Sequence, residues 1–338
     1  MAELPEPSEL TRSAVAEESV PILDLTAYLN GEAGAREQVA ADLRHLQENL
    51  GYYYITNHGV SAELIERVFE KLAEFFALPE AVKRKILVNR HQLGFVPAKA
   101  SIMKTELTDA NTVADMNEGL SLMRERAPDD PKVVADVRFS GLNQWPDGVP
   151  GLRETFLEYH VEMDALAKRL LPLYALALDK PADYFDPFFE EAHYYNRNSF
   201  YPAVESTEGQ QGVGSHTDHN FMALLPMSAE PGLMYATPSG NWFEAPLVAG
   251  AIVVNTGEFL KRWSNGRFLP TPHRVTVPQR DRYAITFHYS PSDETVADPL
   301  DTCVGPDNPR QFEPKTFIQH MTDYIDAVYV PQQEMMDS

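Results

Sequence analysis

Apolar positions along the chain recur first at helical spacing and later in short alternating runs. Residues 20–25 form a short apolar run of strand character. Val39, Leu43, Leu46 and Leu50 then recur at helical spacing, which predicts a helix over 35–49 that Gly51 stops. Residues 52–55 are rich in strand formers, and the turn Asn57-His58-Gly59 closes them. Ser61 reads as an N-cap for a helix to about residue 77, with Val68, Leu72 and Phe75 on one face, and residues 79–86 extend it as a short helix. The middle is less legible. Residues 93–97 read as a turn or strand, 109–123 as irregular or strand, 143–146 as a loop, and 181–188 as a helix or turn; 152–178 is a strongly periodic long helix. From about His193 the texture changes to strand-like runs at 194–201, 214–226, 232–237, 242–245, 251–255, 274–277 and 282–289, with a last helix over 314–328. Strands at that spacing predict a mainly β core, a sandwich or barrel, with helices flanking it.

Composition narrows the class. The 338 residues carry a net charge of −22, which disfavours phosphate backbones and anionic membranes, and no Lys/Arg-rich run suggests nucleic-acid binding. Cys303 is the single cysteine, so neither an intramolecular disulfide nor a thiolate metal cluster is available, and the ten histidines become the natural metal ligands. Residues 1–19 are rich in Glu, Pro and Ser, lack an apolar signal segment and read as a disordered tail. No stretch approaches the ~18–20 apolar residues of a spanning helix. The expectation is a cytoplasmic enzyme acting on a small molecule, with no nucleic-acid or membrane partner.

The candidate chemistry begins at Gly214-Ser215-His216-Thr217-Asp218. On a strand, His216 and Asp218 project from the same face and can chelate one metal. His273 follows 55 residues after Asp218, and a barrel can return its strand beside the first. Two imidazoles and a carboxylate leave coordination positions open, as non-haem Fe(II) oxygenases require for O2 and a co-substrate. The triplet alone is weak, because H-x-D occurs by chance. Nine residues after His273, Arg282 shares a strand face with Ala284, Thr286 and His288. An inward guanidinium needs an anion, and its fork suits a carboxylate such as the tail of 2-oxoglutarate. The alternative is a surface arginine on an edge strand.

Wider blocks carry a resemblance. Residues 51–60 (GYYYITNHGV) resemble a G-F-F-x-I-x-N-H-G-I signature, and 197–202 (RNSFYP) an R-x-N-x-Y-P strand. His216-Thr217-Asp218-His219, Asn255-Thr256-Gly257-Glu258-Phe259-Leu260, Trp263-Ser264-Asn265-Gly266 and His273-Arg274-Val275 follow in order. Together they resemble the isopenicillin N synthase-like branch of the Fe(II)/2-oxoglutarate-dependent dioxygenases over nearly the whole chain. The resemblance implies a double-stranded β-helix (jelly-roll) core with flanking helices, iron at His216, Asp218 and His273, and 2-oxoglutarate as co-substrate with its distal carboxylate on Arg282. It also places Tyr201 near the co-substrate. The implied organisation is a tail (1–19), an N-terminal helical and strand region (20–130), a helical connection (131–189), the jelly-roll core (190–295), and a C-terminal helix and tail (296–338). The implied reaction consumes O2, hydroxylates, desaturates or cyclises a small organic metabolite, and releases succinate and CO2.

Two departures qualify this. The family's serine two residues after the arginine is Ala284 here, and the asparagine of the tyrosine strand is Ser199. Ser199, Thr286 and Tyr201 are candidate replacement donors to the co-substrate. Ala284 keeps open an oxidase of the same branch that dispenses with 2-oxoglutarate, and an inert metal-binding sensor is the remaining alternative. Candidate substrate residues are His288, Tyr235, Phe221 and the segment Asp115-Met116-Asn117-Glu118. His219 is expected to point away from the metal, one residue past Asp218. His58 reads as a structural turn residue, and His45, His91, His160, His193 and His320 as ordinary positions.

Overall fold

Strand alternation sets the architecture of the computed structural model, which describes residues 3–100, 114–204 and 210–328. The strands are β1 (Ile22–Asp24), β2 (Tyr52–Thr56), β3 (Gly94–Val96), β4 (Glu118–Met123), β5 (His193–Tyr201), β6 (Val213–His216), β7 (Met222–Pro226), β8 (Leu233–Ala236), β9 (Trp242–Glu244), β10 (Ile252–Thr256), β11 (His273–Val275) and β12 (Arg282–Ser290). The major sheet has eight strands in the order β1-β2-β10-β7-β12-β5-β4-β3, and the minor sheet four in the order β6-β11-β8-β9. Every pair in the two sheets is antiparallel except β1 with β2. One cavity is lined from both sheets. This is the expected jelly-roll core.

The spine is β5 paired with β12, in unbroken register from Arg282 opposite Tyr201 to Ser290 opposite His193. Alternation gives β12 two faces. Arg282, Ala284, Thr286 and His288 line the cavity. Ile285, Phe287 and Tyr289 are fully buried on the other side. There they meet the helices: Tyr159 packs edge-on against Phe287 at 6.3 Å between ring centres. Truncating such a buried Phe costs about 3–5 kcal/mol, so the sheet that carries the site is pinned from behind.

The longer helices, Ala35–Asn49, Ala62–Phe76, Leu152–Ala177 and Phe317–Val328, form where the pattern placed them. Helix Ala62–Phe76 starts at Ser61, whose hydroxyl accepts from the Leu64 N–H at 3.2 Å. Helix Ala35–Asn49 ends before Gly51, whose φ is +79° and where a Cβ would lie 1.9 Å from the Leu269 carbonyl oxygen. Helix Leu152–Ala177 crosses both helices, and its Tyr174 hydroxyl bonds that of Tyr53 on β2 at 2.8 Å. The last helix runs Phe317–Val328.

Two expectations are corrected, one helix is new and one ambiguous stretch is resolved. Residues 9–16, read as part of a disordered tail, form a helix. Ser8 caps it, and buried Thr11 and Ala14 dock it towards Ala35–Asn49, a use of small residues that composition conceals. The run 214–226 is two strands, because the chain turns between His216 and Met222 to deliver Asp218. A short helix, Glu258–Trp263, stands where no periodicity of that length is legible. Of the ambiguous stretch 109–123, residues 109–113 lie outside the described residues and Glu118–Met123 is β4.

Candidate functional site

The site is built where β6 and β11 pair. His216 and His273 are direct partners across the ladder, and their rings lie 4.3 Å apart. Asp218 sits just past β6, held by a parallel bridge to Gly257. One ligand atom from each of His216, Asp218 and His273 falls within 4.8 Å of the others, a spacing suited to one metal ion. Each imidazole is oriented by the backbone two residues before it. His216 Nδ1 bonds the Gly214 carbonyl at 2.9 Å, and His273 Nδ1 that of Thr271 at 3.0 Å. A proton on Nδ1 leaves Nε2 as the unprotonated ligand atom.

Electrostatics agree with a cation site. Burial, reinforced by the neighbouring His273, lowers His216 to about 4, so it stays neutral at physiological pH. Burial pushes Asp218 upward, but the surrounding imidazoles, His273 foremost, outweigh it and hold the carboxyl below its usual range. A carboxylate buried as deeply as that of Asp218 needs a counter-charge. A divalent ion supplies one.

Asp218 is supported from several sides. Asn255 Nδ2 donates to Asp218 Oδ2 at 3.3 Å, and the buried Tyr235 hydroxyl donates to Asn255 Oδ1 at 2.5 Å. The Glu258 N–H donates to the Asp218 carbonyl at 2.8 Å, and the Glu258 carboxylate accepts from the Thr217 hydroxyl at 3.0 Å. Helix Glu258–Trp263 therefore fixes the turn that presents the carboxylate. A Cβ on Gly257 would lie 2.0 Å from the Asn220 carbonyl oxygen, so only glycine allows this approach.

Arg282 lies on the same cavity wall. It is 6% exposed, its Nε donates to the Glu230 carbonyl at 3.2 Å, and its guanidinium stacks over Tyr201 at 5.1 Å. Burial lowers its pKa, with Tyr201 opposing. Its buried Nη1 has no hydrogen-bond partner among the described residues. An orphaned donor on a buried cation is costly unless a ligand anion meets it. Ser199, Ala284 and Thr286 line the cavity beside it. The register sets Ser199 directly opposite Ala284, so a hydroxyl is available next to the position where serine is missing.

His288 is also on the cavity wall, with Nδ1 3.8 Å from Asp218 Oδ1 and 2.7 Å from Asn220 Nδ2. Asp115 and Asn117 line the cavity as expected for their segment. Tyr235 and Phe221, expected to meet substrate, do not line it. Tyr235 stacks on Tyr52 at 4.4 Å behind His273 and orients Asn255. Phe221 is buried among Tyr174, Phe185, Phe189 and Trp263. His219 corrects a further expectation: β6 has ended before it, strand alternation no longer applies, and its ring lines the cavity stacked on Tyr324 at 4.7 Å. Tyr195, Arg197, Tyr324 and Ile325 line it too and had no assigned role. Alternation along β5 from Tyr201 and Ser199 was a signal for Arg197 and Tyr195. Nothing in the sequence aims Tyr324 at a cavity formed by distant strands.

The remaining histidines are structural where their partners are seen. His58 Nε2 bonds the Gly250 carbonyl at 3.0 Å, closing the Asn57-His58-Gly59 turn. His160 bonds Asn196 at 3.0 Å, His193 bonds Asp293 at 2.8 Å, and His91 bonds Asp136 at 3.0 Å. His320 Nε2 bonds the His219 carbonyl at 2.8 Å and so ties the last helix to the site.

Comparison with known proteins agrees with this geometry. Residues 192–291 match the model of the 2OG-Fe(II) oxygenase superfamily, and residues 20–148 match that of the non-haem dioxygenase in morphine synthesis N-terminal region. The 2-oxoglutarate-Fe(II) type oxidoreductase hxnY of Emericella nidulans is 31% identical over 304 residues, covering 88% of this chain and 86% of its own. Kihadalactone A synthase LFS of Citrus sinensis is 32% identical over 287 residues, covering 81% and 84%. Among solved structures, a full-length Neurospora crassa protein in complex with alpha-KG and thymine superposes with a TM-score of 0.80 at 25% identity, covering 91% of this chain and 96% of that one. With this site on this fold, the chain belongs to the 2OG-Fe(II) oxygenase superfamily and is a 2-oxoglutarate-dependent non-haem iron dioxygenase.

Proposed function

We propose that His216, Asp218 and His273 hold the iron, that Arg282 holds the distal carboxylate of 2-oxoglutarate, and that the enzyme oxidises a small organic metabolite with release of succinate and CO2. The observation that carries this reading is the pairing of two features on one cavity. Three ligand atoms lie within 4.8 Å of one another, and Arg282 presents a buried, unpartnered Nη1. The iron, when bound, supplies the O2 chemistry that couples decarboxylation of 2-oxoglutarate to substrate oxidation.

The chain's own groups do the positioning. The Gly214 and Thr271 carbonyls fix the two imidazoles, and Asn255 fixes Asp218. Arg282, with the Ser199 hydroxyl opposite Ala284, orients the co-substrate. Thr286 and Tyr201 complete that wall, and His288 faces substrate. Tyr324 and Ile325 of the last helix add to the cavity lining. A small molecule, not a nucleic-acid polymer, suits this cavity in a chain of net charge −22.

The test is an anaerobic titration of Fe(II)-loaded protein with 2-oxoglutarate, followed by its metal-to-ligand charge-transfer band. The band is expected in the wild type and is expected to need far more 2-oxoglutarate in Arg282→Met. Iron binding with no band at saturating 2-oxoglutarate overturns the reading. Ala284 favours one competitor, an oxidase in which Arg282 binds the substrate's own carboxylate. Stoichiometric succinate formation rules against it.

A further inference from the structure

The major sheet parts at its Arg282 end. Strands β7 and β12 pair from Met222 opposite Tyr289 to Leu224 opposite Phe287, and their ladder stops there. Both strands run on, β7 to Pro226 and β12 back to Arg282. The next positions in that register set Leu225 beside Thr286 and Pro226 beside Ile285. Proline has no N–H to give a ladder and is suited to a strand edge. Here β7 stays with β10 instead. Pro226 lies opposite Ile252, and the Met227 N–H donates to the Ala251 carbonyl at 3.2 Å.

The gap between the parted strands is a narrow apolar slot. Leu225, Leu233, Ala245, Val253, Ala284 and Ile285 line it, and its open volume is about 20 Å³. That is room for one molecule the size of water, yet an apolar lining offers water few of the partners it needs to stay. On the inner side, Leu225, Leu233, Arg282 and Ala284 also line the cavity of the triad. On the outer side, Pro226, Met227 and Leu247 also line a surface groove of about 730 Å³, which Ile65 and Phe69 of helix Ala62–Phe76 help to form. The groove, the slot and the cavity therefore follow one another through the sheet. Ala284 stands at the inner junction, where a serine would add a hydroxyl and this chain has only a methyl group.

We propose that the slot is the way in for dioxygen, a passage for a small apolar gas from the groove beside helix Ala62–Phe76, past Pro226 and Ala284, into the cavity of the triad. A five-carbon dianion or an organic substrate is too large for it. The slot admits the one reactant that is both small and uncharged, and admits it while the other two fill the cavity. The proposal takes from the reading above only that dioxygen is consumed in that cavity.

The probe is dioxygen itself, whose unpaired electrons speed the relaxation of nearby protons. Methyl-labelled protein loaded with Zn(II) and 2-oxoglutarate, which does not turn over, is measured by NMR under nitrogen and under oxygen pressure. The methyl groups of Val253 and Ile285 are expected to relax severalfold faster under oxygen than those of Leu43 and Leu170, which are as deeply buried but are not part of the slot. Ala245→Leu fills the slot and is expected to abolish that excess. In the same variant, loaded with Fe(II) and 2-oxoglutarate, the charge-transfer band is expected to fade severalfold more slowly on mixing with oxygenated buffer, with the Kd for 2-oxoglutarate unchanged. Equal relaxation of the two sets in the wild type overturns the proposal. So does an excess that survives Ala245→Leu, or a band that fades at the wild-type rate once the excess has gone. The wild-type measurement decides the matter even where the variant does not fold. Absence of the charge-transfer band in the wild type instead strikes the Arg282 reading, and the oxygen map is still read on the Zn(II)-loaded protein.

Discussion

Ser199 on β5 faces Ala284 on β12 as a direct cross-strand partner, and both line the cavity next to Arg282. A hydroxyl lost from one strand is thereby matched by one on its neighbour. Removing it in Ser199→Ala is expected to weaken 2-oxoglutarate binding by about 1.5–3 kcal/mol, the worth of a hydrogen bond to a charged group. Adding Ala284→Ser to that variant restores most of the loss. The Kd from the charge-transfer titration checks both. A Ser199→Ala protein that binds 2-oxoglutarate as tightly as the wild type removes the compensation argument.

Asn255 links Tyr235 to the carboxylate of Asp218. Supporting groups of this kind are typically worth 10–100-fold in metal affinity. Asn255→Ala is expected to fall in that range, and Tyr235→Phe to lose less because Asn255 still reaches Asp218. Titration with Co(II), which avoids oxidation during the measurement, reads the effect. Unchanged Co(II) affinity in Asn255→Ala would show that Asp218 is positioned by its backbone alone.

Gly257 has no room for a methyl group, with the Asn220 carbonyl oxygen 2.0 Å from where its Cβ would stand. Gly257→Ala is expected to lower stability by about 3 kcal/mol, the upper end of what overpacking a close-packed site costs. Metal affinity falls with it, because the same turn presents Asp218. Chemical denaturation and the Co(II) titration test the two effects together; a stable variant with wild-type affinity contradicts the packing argument.

His160 is held neutral by burial, its pKa lowered to about 4, although its bond to Asn196 opposes the shift. The unfolded chain takes up that proton near pH 6.5. Stability contributed by the neutral ring is therefore complete above that value and is lost as pH falls towards 4. Between pH 7 and pH 5 the loss amounts to about 2 kcal/mol for this group. Other buried histidines add to the same trend, so the quantity to measure is the difference in urea stability between wild type and His160→Gln at each pH. An identical pH dependence in the two proteins would mean that His160 titrates normally when folded.

The triad and Arg282 were legible because strand alternation puts residues two apart on one face, and because their motif blocks occur in order. Arg282, Thr286 and His288 share the cavity for that reason, whereas Asp218 lies just past β6 and reaches it by the turn that the bridge to Gly257 holds. Alternation also misled where the strand had already ended. His219 was expected to point away, yet it lies beyond β6 in a turn and faces inward. Tyr235 and Phe221 show the reverse error. Their aromatic character suggested substrate contact, but the sequence does not say which side of a sheet faces the helices. The helix Glu9–Ala16 was hidden because its docking surface is made of small residues, Thr11 and Ala14, which carry no hydrophobic period.

The last helix, Phe317–Val328, supplies Tyr324 and Ile325 to the cavity and ties His320 to the His219 carbonyl. These residues are made after every strand of the two sheets. The ligand set and this part of the wall therefore lie on separate stretches of chain, so substitutions in the last helix reshape the wall while the three ligands themselves stay unchanged.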